Sequence, residues 1–162
     1  MRCEGYMLVS KDIALAKKFY TDVVGATVAL DLPTHVVFVE GFSLVLERNW
    51  LDFAELELEN IVYSHHAGQL GFEVDDISAF VSKLEKLPSV QIMHQIKEHP
   101  WGRWAIRLYD PDGHVVEVGE SMQVVVKRFL ANGLSVKDVS LKTEFPEEYV
   151  LLCKEEVDIS NN

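Results

Sequence analysis

The chain has 162 residues, 48% of them hydrophobic and 25% charged, which suits one soluble globular domain with room for a real core. Its formal net charge of −11 argues against a nucleic-acid backbone or an anionic membrane surface as a partner. No apolar run is long enough to cross a bilayer, Met1-Arg-Cys-Glu-Gly5 lacks the apolar core of a secretory signal, and Cys3 and Cys153 are too few for a disulfide framework, so a cytoplasmic protein with reduced thiols is expected.

In chain order, Tyr6–Val9 reads as a short strand that stops at Ser10-Lys11-Asp12. Asp12 opens a helix with Ile13, Ala16, Phe19, Tyr20 and Val23 at helical spacing, and Gly25 closes it. Strand-like runs follow at 26–31, 35–40 and 42–48, giving β-α-β-β-β. The stretch 49–68 predicts a short helix or an ordered loop, and adjacent His65 and His66 cannot both face one cavity from a strand.

The same order then recurs. Residues 69–74 read as a strand, and Asp75-Asp76 caps a helix carrying Ile77, Phe80, Val81, Leu84 and Leu87, which Pro88 ends. Strand-like runs at 90–97, 104–109 and 114–118 complete a second unit. Asp12-Ile13 aligns with Asp76-Ile77 at an offset of 64, and Gly41–Val45 with Gly113–Glu117 at an offset of 72. An internal repeat of this kind takes precedence in reading architecture. The fold class is therefore α+β, two βαβββ modules forming a cupped mixed sheet over residues 1–120, with a helical C-terminal extension over 121–162. Ligands favour the concave junction that such a pair would make.

The last hairpin holds the chemistry-bearing residues. Asp110-Pro-Asp-Gly113 is a tight turn, and Glu117 places a carboxylate in a β-branched run, where it must face solvent or a polar cavity. Trp101 sits in a Pro-Trp-Gly loop, a sequence that would struggle to bury an indole in the main core. Arg103 and Arg107 share a strand face and offer cations to an acidic ligand, and His99, with His94 along the same edge, is an acid/base candidate.

Taken together, Ser10-Lys-Asp12 leading to Phe19-Tyr20 and Val24-Gly25, Leu70–Asp76, Pro100-Trp-Gly102, and Asp110-Pro-Asp-Gly113 with Glu117 resemble the vicinal oxygen chelate superfamily of glyoxalases, antibiotic-resistance proteins and extradiol dioxygenases. In metal-using members the resemblance implies four ligands, which fall here on Gly5, Val45, Gln69 and Glu117. Only Gln69 and Glu117 carry donors, a poor set for Zn²⁺ or Ni²⁺. Glu47, on the face of Val45 if the strand runs to 48, is a substitute. Two readings follow. One is a small-molecule-binding protein with no tightly bound cofactor, at most a weak divalent metal, using Gln69, Trp101, Arg103, Arg107, His99 and Glu47. The other is a divalent-metal-dependent glyoxalase-like lyase or isomerase with Glu117 as ligand and base.

Beyond Glu120 the spacing becomes helical. Met122, Val125, Val126, Phe129 and Leu130 form a stripe ended by Asn132-Gly133, Ser135–Asp138 resembles a capping box, and Pro146 opens a last helix. These helices resemble a helix-turn-helix motif, but five Lys/Arg against seven Asp/Glu in 121–162 oppose DNA binding. The resemblance implies a cup completed across two chains, and an uncovered Met122–Leu130 stripe would mark an interface, so a homodimer is expected.

Overall fold

The computed structural model describes residues 1 and 4–160, with side chains through Lys154; Cys3, one of the two expected thiols, lies outside the described residues. The first half runs β1 (Tyr6–Ser10), α1 (Ile13–Lys18), a π-helical turn (Phe19–Val24), β2 (Val28–Leu32), β3 (His35–Phe38), β4 (Phe42–Leu46), α2 (Glu47–Ala54) and a 3₁₀ turn (Leu58–Asn60). The second half has β5 (Gln69–Val74), α3 (Ile77–Leu84), β6 (Gln91–Glu98), β7 (Trp104–Tyr109) and β8 (Val115–Glu120). Three helices close the chain: α4 (Met122–Ala131), α5 (Val136–Thr143) and α6 (Glu147–Ser160). Among the described residues no helix is long and apolar enough to cross a membrane.

Two four-stranded sheets carry the repeat, ordered β1-β4-β3-β2 and β5-β8-β7-β6. In the first, β1 lies parallel to β4, while β3 is antiparallel to both β4 and β2. By contacts the chain divides into two compact units. Unit 1 is Met1–Leu70, Pro88–Met93 and Leu108–Val116; unit 2 is Gly71–Leu87, His94–Arg107 and Glu117–Asn162.

In unit 1 the Asp12 side chain caps α1 by accepting the Leu15 N–H. The helix then widens to i→i+5 bonding, with the Gly25 N–H on the Tyr20 carbonyl, and Gly25 at φ 91° stops it. This turn delivers Tyr20, fully buried, onto the stacked rings of Phe38 and Phe42. Burial, then the neighbouring Asp110 charge, pushes the Tyr20 phenol above its usual pKa. Its hydroxyl donates to Asp110 Oδ2 at 2.9 Å, so the buried phenol oxygen has a partner.

One strand is shorter than its residues suggest. β4 ends at Leu46, and Glu47 opens α2 instead of extending the strand to 48. Glu47 therefore leaves the face of Val45, and its Oε2 accepts the Tyr63 hydroxyl at 2.6 Å. Burial and that bond raise the Tyr63 pKa.

In unit 2, Asp76 caps α3 through the Ala79 N–H, turning Ile77, Phe80 and Leu84 inward. Ser121 caps α4, accepting from the Val124 N–H and donating to Asp75 Oδ1 at 3.1 Å, while its own N–H reaches the Val74 carbonyl. The α4 stripe is not left bare. Val125, Val126 and Phe129 pack with Val139, Val150 and Cys153 in one buried cluster, so α5 and α6 cover what the spacing alone left open. Ser135 caps α5, accepting the Asp138 N–H and donating to the Asp138 carboxylate.

Candidate functional site

The charged centre of unit 2 is Glu117. It lies on β8 at 5% exposure, so the carboxylate faces inward rather than solvent. Its Oε1 stands 3.1 Å from Arg103 Nη1, and its Oε2 is ion-paired with Arg107 Nη2. Both arginine side chains are largely buried, at 16% and 21%. Such desolvated pairs hold their geometry far more firmly than surface pairs do, and losing one partner is costly.

The local sequence explains how the arginines get there. Arg103 leaves the loop just ahead of β7 and runs across Gly119 on β8, where a Cβ would lie 2.7 Å from Arg103 Nε. The absent side chain lets Arg103 Nε donate to the Glu120 carbonyl at 2.7 Å while Nη1 reaches Glu117. Glu73 Oε1, more exposed, is 3.9 Å from Nη2. Arg107 Nη1 lies 2.9 Å from His94 Nε2. A guanidinium only donates, so His94 Nε2 accepts and its Nδ1 donates to the Gln95 carbonyl at 2.8 Å.

The loop between β6 and β7 stands beside this cluster. The His99 carbonyl accepts the Gly102 N–H and the His99 N–H donates to the Arg103 carbonyl, both at 2.8 Å, closing a tight turn. Gly102 takes φ 88°, and a Cβ there would strike the Phe129 ring, so α4 packs directly on the turn. The turn lays the His99 and Trp101 rings parallel, with centroids 4.6 Å apart. Trp101 keeps 40% of its surface exposed. His99 Nε2 is buried without a hydrogen-bond partner among the described residues. Burial lowers the His99 pKa despite the opposing pull of Glu117, so the imidazole is neutral at pH 7.

Of the candidate residues, His99, Trp101, Arg103, Arg107 and Glu117 therefore come together, with His94 joining through Arg107. Glu47 and Gln69 belong to unit 1: Glu47 is engaged by Tyr63, and Gln69 begins β5 on the edge of a groove. Two members of the site carry no sequence signal beyond charge. Glu120, 6% exposed, accepts the Trp104 N–H and pairs with Arg128 Nη2 at 2.6 Å. The same Nη2 reaches the Gly102 carbonyl at 2.8 Å.

The donor set implied for a metal does not fit one. Gly5 sits at φ 114°, and any Cβ would collide with the Gly41 carbonyl. Val45 is fully buried and aliphatic. Glu117 has an arginine on each oxygen. Among the described residues no three His, Cys, Asp or Glu side chains are grouped to hold an ion.

The model of the glyoxalase-like domain family matches residues 3–123. The chain belongs to that family. This glyoxalase-like chain is 30% identical to a protein of unknown function from Agrobacterium tumefaciens, over 75% of this chain and 94% of that one, with a TM-score of 0.65. It is 27% identical to a lactoylglutathione lyase from the same organism, over 72% and 92%, with a TM-score of 0.54. A glyoxalase/bleomycin resistance protein/dioxygenase family enzyme from Burkholderia phytofirmans, at 18% identity over 74% and 98% and a TM-score of 0.62, shares the fold. No curated protein matches. One fold can host many chemistries, so what the chain does is carried by the residues above.

Proposed function

We propose that this glyoxalase-like chain binds a small molecule without a tightly held metal ion. The observation that carries this reading is the Glu117 carboxylate closed between Arg103 and Arg107. An ion at Glu117 would have to displace two guanidiniums and would find neither Gly5 nor Val45 able to help. The exposed Trp101 indole offers a flat apolar surface, and the arginines suit an acidic group on the same ligand. The reading includes a cytoplasmic homodimer.

Metal analysis of the purified chain tests the reading, followed by thermal unfolding and a lactoylglutathione lyase assay with added Ni²⁺, Zn²⁺, Mn²⁺ or Mg²⁺. We expect metal well below one ion per chain, unmoved unfolding midpoints and no turnover. The likeness to the lactoylglutathione lyase supports a second reading, a metal-dependent lyase using Glu117 as ligand and base. Near-stoichiometric retained metal, or turnover that appears with an added ion, would establish that reading and overturn ours.

A further inference from the structure

Unit 1 holds an aspartate–histidine pair that the Glu117 cluster does not use. The Asp110 side chain is 0% exposed. Its Oδ1 accepts the N–H groups of Asp112 at 3.0 Å and His114 at 2.8 Å. Its Oδ2 takes the Tyr20 hydroxyl and stands 2.8 Å from His114 Nδ1. Four contacts fix this carboxylate in place, and it fixes the ring. In the neutral imidazole Nδ1 carries the proton, leaving the Nε2 lone pair to accept. Nε2 makes no hydrogen bond among the described residues.

His114 lines a groove with Leu8, Leu70 and Val115 as apolar walls and Ser64 and His65 at its polar side. His65 Nδ1 accepts the Ala67 N–H at 3.0 Å, so its Nε2 carries the proton and donates. His66 lines the groove too, its Nε2 engaged at 2.9 Å by the Tyr109 hydroxyl; His114 Nε2 and His65 Nε2–H supply a ring acceptor and a ring donor on a mostly apolar lining, the composition of small-molecule sites. The turn supplying His65 is strained. Ser64 and His66 both adopt left-handed backbone, at φ 56° and 55°, which side-chain-bearing residues rarely do. A side chain at position 113 would strike Ser64 Oγ, so Gly113 is what lets this turn close on the loop carrying His114.

We propose that this groove binds a small apolar molecule bearing a hydroxyl group, which donates to His114 Nε2 and accepts from His65 Nε2–H while its body lies on Leu8, Leu70 and Val115. The site stands whichever occupant the Glu117 cluster takes.

Phenol is the probe, titrated into the full chain while ¹H–¹⁵N spectra of amides and imidazoles are recorded. Saturable shifts at His65, Gly113, His114 and Val115 are expected, with a change in the His114 Nε2 resonance that marks an accepted hydrogen bond. His114→Phe should weaken binding about tenfold, the loss of one good hydrogen bond. Leu70→Trp, which fills the groove and leaves both imidazoles in place, should remove binding; circular dichroism checks that each variant folds. Shifts centred on Trp101 and Glu117 would overturn the proposal. So would no saturable shift at millimolar phenol, or unchanged affinity in either folded variant.

Discussion

At the scale of single residues, Glu117 is worth more to the fold than to any free binding capacity. Its two oxygens each hold one of two guanidiniums that are themselves mostly withdrawn from water. Glu117→Gln keeps the shape but leaves Arg103 and Arg107 facing one another across an amide. Breaking a buried pair from one side costs about 3–5 kcal/mol, and partial exposure of the arginines puts the expected loss at or below the lower end. Urea unfolding of the two proteins measures it, and equal midpoints would mean the clamp is not formed in solution. The position was legible as an odd carboxylate in a β-branched strand, and both arginines were legible as cations on one face. That they would engage one another was not, because the sequence spacing of β7 and β8 does not state which residues pair across strands. The same limit applies to Asp110. The turn was readable from Pro111 and Gly113, but its carboxylate is the anchor for Tyr20 and His114, at separations of 90 and 4 residues.

At the scale of elements, α4 is the splint of the β6–β7 turn. Phe129 packs on Gly102, and Arg128 ties the Gly102 carbonyl to the buried Glu120 carboxylate. Arg128→Ala removes both bonds and leaves the Glu120 carboxylate with the Trp104 N–H as its remaining partner among the described residues. A loss of about 1–3 kcal/mol is expected, with faster hydrogen exchange at the amides of Gly102 and Arg103. Exchange at those two amides matching wild type would detach α4 from the turn. The apolar stripe of α4 was plain from its spacing. What covers it was not, because helical periodicity identifies a buried face without naming its partner. Local backbone geometry had a similar effect at Glu47 and His65. Strand alternation put Glu47 beside Val45 and kept His65 and His66 apart, yet a helix begins at 47 and a left-handed turn brings both histidines to one groove.

At the scale of the whole molecule, the repeat was readable because its two copies preserve order and spacing, and the sheets reproduce it strand for strand. The homodimer has a narrower basis once α4 is covered within its own chain, and it rests on the family resemblance. Apolar side chains do remain exposed, among them Val39 at 66% and Phe53 at 65%, but scattered residues of this kind are ordinary on a monomer. Sedimentation velocity at micromolar concentration is expected to show two chains per particle; a single species of one chain, 18.4 kDa, would remove the dimer from the reading.

Gly5 also limits what single substitutions can do to this chain. At φ 114° the Gly41 carbonyl lies where any Cβ at position 5 would go. A ligand side chain placed at position 5 would therefore require rearrangement of the 41 turn, and without it would cost the fold. Val45→His or Val45→Glu would meanwhile bury an unpaired polar group with no ion to reward it. Each such step toward that ligand set is harmful by itself. The lock sits in the main chain, where no single side-chain replacement can pick it.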